Sequence, residues 1–115
     1  MGNPIVFFDV TCRDAAPLAA FYSSVFGWTV TPHSSGEYQT VTTGEGIDGM
    51  ITQLPDDMRA TLTVFVATDD LDTMLASVEK NGGVLLFPPM DLPNGERIAM
   101  INDPAGTTIG LIQQR

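Results

Sequence analysis

The sequence predicts an α+β domain made of two tandem βαβββ modules. An internal repeat, turn chemistry at fixed places and alternating strand patterns support this. Three landmarks recur at one spacing of 56 residues: Phe7 and Thr63 in β-rich runs, Asp14 and Asp70 before a helix, and Gly27 and Gly83 after it. One spacing shared by three different features marks a supersecondary unit used twice. The modules span residues 5–54 and 61–113, joined by a linker at 55–60, within a single domain of residues 1–115. A chain of 115 residues has room for that one domain and modest cores, with no need of disulfides.

The elements follow in order. Ile5 to Thr11 alternates as a strand. Asp14 is placed to cap a helix whose apolar residues, Leu18, Phe21, Tyr22, Val25 and Phe26, fall on one face of a 3.6-residue period. Gly27 ends it, and Trp28 to Thr31 opens a second strand. Further strands are expected at Tyr38 to Thr42 and, after the Gly44-Glu45-Gly46 turn, at Ile47 to Leu54. The second module repeats this grammar. Leu62 to Thr68 is a strand, and Asp69-Asp70 caps a helix bearing Leu71, Met74, Leu75 and Val78. Asn81-Gly82-Gly83 stops that helix, and Val84 to Phe87, Arg97 to Ile101 and Thr107 to Gln113 complete the set. Residues 88–96, rich in Pro and Gly, read as the longest loop and as a rim or lid.

Two such modules, each with a helix on one face, pack by burying Phe8 and Val10, Val64 and Val66, and Ile109 and Leu111 beneath the helices. The other faces are expected to curl, as a curved mixed sheet, into a cup of the kind that takes ligands. Alternation nominates Phe7, Asp9, Thr11, Thr40, Gly49, Ile51, Thr63, Phe65, Gly110 and Ile112 as its lining. Arg97 and Met100 lie on opposite faces of one strand, so only one of them can join. Asp9 is the one acid placed inside, where it needs a partner: Arg97, a hydrogen bond across the sheet, or a cationic ligand.

Bulk composition narrows the partners. Hydrophobic residues make up 43% of the chain, and the mean hydropathy of +0.13 suits a folded soluble domain. Fourteen acids against five bases give a net charge of −9, which argues against nucleic acid and permits cationic ligands. No basic leader precedes an apolar run and no stretch reaches the length of a membrane span, so no membrane partner is expected and cytoplasm is the default. The single cysteine, Cys12, reads as buried and structural, and the single histidine, His33, as a surface or structural residue. The spaced glycines Gly44, Gly46 and Gly49 join two strands rather than a strand to a helix, so they form no dinucleotide loop.

The string Phe8-Asp9-Val10-Thr11-Cys12-Arg13-Asp14, with Phe21-Tyr22 and Val25-Phe26-Gly27-Trp28, resembles the opening of vicinal-oxygen-chelate proteins, the superfamily of glyoxalases, bleomycin-resistance proteins and extradiol dioxygenases. Val66 to Asp72, Gly82-Gly83 and Asp103-Pro104-Ala105-Gly106 carry the resemblance through the second module. It is nearest the ligand-poor branch typified by the Streptomyces growth-disturbance suppressor. Metal-dependent members hold a divalent ion with histidine and glutamate from the first and last strands of each module. The resemblance puts those positions at Phe7, Gly49, Thr63 and Gly110, none able to replace His or Glu. It therefore implies a metal-free protein with no cofactor and no nominated catalytic residue, binding a small hydrophobic or cationic molecule. The alternatives are a lyase, isomerase or dioxygenase of the glyoxalase type, using a relocated metal or acid–base groups, and a structural or regulatory domain with a filled cup. Pairing of modules across a twofold axis, common in the family, gives a homodimer as the expected assembly.

Overall fold

The computed structural model describes residues 2–34, 38–54 and 60–114. The element order is β1 (Ile5–Cys12), α1 (Ala15–Phe26), β2 (Thr29–Pro32), β3 (Tyr38–Thr42), β4 (Asp48–Gln53), β5 (Thr61–Thr68), α2 (Leu71–Lys80), β6 (Val84–Asp91), β7 (Arg97–Asn102) and β8 (Thr108–Gln113). This is βαβββ twice. Most of the expected linker lies outside the described residues, and only its last residue, Ala60, is within them. The chain divides into two compact units, residues 7–63 and residues 1–6 with 64–115, so the cuts fall inside β1 and β5.

In the unit of residues 7–63 the strands run β2-β3-β4-β1, with β1 parallel to β4 and the other pairs antiparallel. Phe8, Val10, Cys12, Val41 and Ile51 are buried. The rings of Trp28 and Phe8 lie 5.6 Å apart, and Tyr22 of α1 stacks on Trp28 at 5.2 Å. Gly27 ends α1 in the left-handed region at φ 72°, donating its N–H to Ser23 O, as the sequence requires. Asp14 departs from expectation, because it stands at the N-cap without a side-chain capping bond. Gln53 Oε1, at the end of β4, accepts the Ala15 N–H instead. The expected buried face of α1 also differs. Phe21, Val25 and Phe26 are exposed, and of the helix only Ala15 is buried.

In the other unit the strands run β5-β8-β7-β6, with β5 parallel to β8. Leu71 and Leu75 of α2 sink onto Ala99, Ile101 and Leu111, with Val66, Met74, Val78, Leu85 and Ile109 around them. Asp70 caps α2 as expected, accepting the Thr73 N–H, while Gln113 Oε1 accepts the Leu71 N–H at 2.7 Å. The N-terminal residues belong here, since Asn3 donates to Ala67 O and Ala67 donates its N–H to Pro4 O. Strand β6 runs on to Asp91, four residues past the expected end, so the loop shrinks to residues 92–96. Register shifts between Leu85 and Phe87 and between Phe87 and Met90 let the strand continue through Pro88 and Pro89.

Among the described residues no helix is long and apolar enough to cross a membrane.

Candidate functional site

Strand register sorts the nominated residues by face. Phe8 pairs with Gly49 and Val10 with Ile51, so Gly49 and Ile51 turn toward the helix side, into the core. Phe7, Asp9 and Thr11 lie on the other face, with Asp48, Met50 and Thr52 opposite them on β4. Thr40 pairs with Met50, and Tyr38 with Thr52, which extends that face across β3. Gly49 and Ile51 therefore leave the expected lining, and Met50 enters it. Treating Gly49 and Gly110 as equivalent positions of the two modules sets β4 one residue out of step. The capping glutamines give the true correspondence. Gln53 and Gln113 hold the same bond 60 residues apart, which matches Gly110 to Met50 rather than to Gly49. A one-residue slip in a strand moves every side chain to the opposite face.

Asp9 is the half-buried acid of this face. Thr52 Oγ1 donates to its Oδ1 at 2.9 Å. Burial pushes the Asp9 carboxyl above its ordinary value, and the Thr52 bond opposes that rise only in part. Among the described residues no cation pairs with it. Arg97 is held to Asp91 at 3.2 Å and to Asp72 at 3.6 Å. The Thr11 hydroxyl meets that of Thr61 and accepts the Thr61 N–H, while Thr40 donates to Thr31 O. Thr63 is buried.

The face of residues 64–115 turned away from α2 is of another character. Two cross-strand rows form it. Phe65, Gly110, Met100 and Phe87 make one, and Ala67, Ile112, Ile98 and Met90 the other. Phe65 and Ile112 are buried, Ile98 and Met100 half-buried, and Phe87 and Met90 exposed. The glycine at 110 leaves no void, because a Cβ built there would overlap the Phe65 ring. The ring of Phe8 fills the space above Gly49 in the same way. Of the two residues between which strand 97–102 had to choose, Met100 joins this face and Arg97 the opposite one.

Sequence reasoning passed over Phe87, Met90 and Ile98. Ile98 was legible, since it alternates with Arg97. Phe87 and Met90 were not, for residues three apart fall on one face only where a bulge intervenes.

Taken one by one, the residues at the four corrected positions are poor partners for a divalent ion. Phe7 and Gly110 offer no donor, Thr63 a neutral hydroxyl, and Met50 a soft thioether. Among the described residues no three of His, Cys, Asp and Glu gather as a metal group. His33 stacks on Tyr38 with ring centroids 4.3 Å apart. Cys12 is buried, and burial raises its thiol pKa, which suppresses the reactive thiolate.

The family model described as a glyoxalase-like domain matches residues 5–112. DnrV of Streptomyces peucetius, an anthracycline biosynthesis protein, is 32% identical over 123 residues, covering 91% of this chain and 45% of its own. CFP32 of Mycobacterium tuberculosis, named as a glyoxylase, is 29% identical over 113 residues, covering 91% of this chain and 43% of its own. The chain thus spans less than half the length of these relatives. Among solved structures, protein BH1468 of Bacillus halodurans superposes with a TM-score of 0.76 at 10% identity, covering 100% of this chain and 96% of its own. Methylmalonyl-CoA epimerase of Mycobacterium tuberculosis gives 0.68 at 15%, covering 94% of this chain and 85% of its own. At those identities the likeness is one of fold.

Proposed function

Because the chain belongs to the glyoxalase-like domain family, we propose that it binds a small, flat, apolar molecule without chemistry, on the face of residues 64–115 turned away from α2. The observation that carries this reading is the graded apolar surface formed by Ile98, Met100, Phe87 and Met90. The outer two side chains are exposed where a packed interior would have covered them. Methionine suits such a surface, since its unbranched thioether conforms to ring systems of different outline. Phe87 supplies an aromatic face for stacking. The name of DnrV ties that relative to anthracycline biosynthesis. The ligand would lie toward β6 and β7 rather than over Gly110, where Phe65 already packs.

A thermal-shift titration with 1,8-dihydroxyanthraquinone tests this. At 100 times its dissociation constant a ligand adds about 2.7 kcal/mol to stability. That shift should disappear in the double variant Phe87→Ala, Met100→Ala. A shift that survives in the variant places the ligand elsewhere, and no shift with any flat aromatic overturns the reading. A second reading, a structural or regulatory domain with a filled interior, is favoured by one observation, the Phe65 ring seated on Gly110. The absence of any ligand-induced shift would support it.

A further inference from the structure

We propose that the helix-distal face of residues 7–63 carries a subsite for a protonated primary amine, with Asp9 holding the ammonium group and Met50 and Phe7 flanking its hydrocarbon body. Register fixes this arrangement. Met50 stands directly across from Asp9 on β4, Phe7 lies two residues before Asp9 on the same face, and Thr52 reaches Asp9 Oδ1 diagonally at 2.9 Å. The flanks are half-buried and apolar, and the centre is an acid. The other acid of the face, Asp48, is committed to a turn, where its Oδ1 accepts the Thr43 N–H.

A half-buried carboxylate with one hydroxyl donor is left partly desolvated, and among the described residues no cation compensates it. A half-buried carboxylate without a cation is costly to the fold, and a cationic ligand would offset that cost. A primary ammonium supplies both the charge and the N–H donors that Asp9 lacks. The chain charge of −9 draws such a cation in and repels anions. This inference stands on residues 7–63 alone, and the apolar face around Met100 and Phe87 is not needed for it.

The test compares benzylamine with its neutral isostere benzyl alcohol at pH 7.5, followed by NMR of the Met50 and Thr52 methyl groups. Benzylamine is expected to bind at least about tenfold more tightly, as a charge-assisted hydrogen bond should. Asp9→Asn, which keeps the shape of the side chain, is expected to bring benzylamine down to the affinity of the alcohol and to leave the alcohol unchanged. Asp48→Asn is expected to keep the preference. Equal binding of the two probes, a preference that survives in Asp9→Asn, or no response of either methyl group to millimolar benzylamine would each overturn the proposal. None of these outcomes depends on Phe87 or Met100, so the two readings fail separately.

Discussion

Helix α2 sinks Leu71 and Leu75 into its sheet, whereas α1, at the same place in its module, buries only Ala15 and leaves Phe21, Val25 and Phe26 more than half exposed. Yet the two helices share their devices. Each begins where a glutamine from the module's last strand accepts its first N–H, and each is followed by a positive-φ glycine. Boundaries are set by capping and glycine conformation at the helix ends, so one grammar written twice gives the same kind of boundary twice. Depth depends on what the strands offer. Beneath α2 lie Ala99, Ile101 and Leu111, among which leucines can settle. Beneath α1 lies an aromatic layer, Phe8 and Trp28, on which Tyr22 stacks. The helix sequences agree with this. α2 carries Asp72, Glu79 and Lys80, while α1 carries no charged residue at all.

The largest effect that sharpens this contrast is expected from truncating the helices. Leu71→Ala should destabilise the protein by about 2–5 kcal/mol, the usual loss for a fully buried leucine, whereas Phe21→Ala should cost under about 1 kcal/mol. Urea unfolding of both variants measures the difference, and similar losses would erase the distinction. The glycines beneath the two phenylalanines come next. Gly49→Ala should cost more than Gly110→Ala, by an overpacking penalty of about 1–3 kcal/mol. The reason is that the nearest atoms to a new Cβ at 49 include the rigid Phe8 carbonyl as well as its ring, while the nearest at 110 all belong to the movable Phe65 ring. Adding Phe65→Leu should rescue Gly110→Ala, and adding Phe8→Leu should not rescue Gly49→Ala. The caps follow, at about 0.5–2 kcal/mol each. Gln113→Ala should lose more than Gln53→Ala, because its bond is 2.7 Å against 3.2 Å.

The smallest effect concerns Asp9. Its carboxyl is raised by burial in the folded state, so the stabilisation it contributes is complete below the ordinary carboxylate range and is lost as pH rises through the raised value. Asp9→Asn should therefore melt slightly higher than the parent at pH 7, and the advantage should vanish toward pH 3. A melting series across pH checks this, and an advantage that grows on acidification would contradict it.

The fold was legible because its signals are short in range and repeated. Asp70, Gly27 and the alternation of Phe8 with Val10 each fix local structure without help from distant residues. The candidate site was legible only where alternation runs unbroken, as from Phe7 to Asp9 and Thr11. It failed at Gly49, where a plausible alignment missed by one residue, and at Phe87 and Met90, where bulges set the face. Bulges and strand register depend on partner strands, so neither is written into the strand itself. The exposure of α1 was hidden for a like reason. Its apolar spacing is genuine, but the depth available beneath it belongs to Phe8 and Trp28.

The two glutamine caps also constrain the order in which the chain can be finished as it is made. Gln53 follows Ala15 by 38 residues and Gln113 follows Leu71 by 42, so each helix emerges with its leading N–H unanswered. At about 5–20 residues per second of synthesis, that gap lasts seconds, long compared with helix formation itself. Each module is therefore clasped only when its final strand arrives. A product cut short between α2 and the end of β8 would contain both α1 and α2 with the clasp of α2 still open.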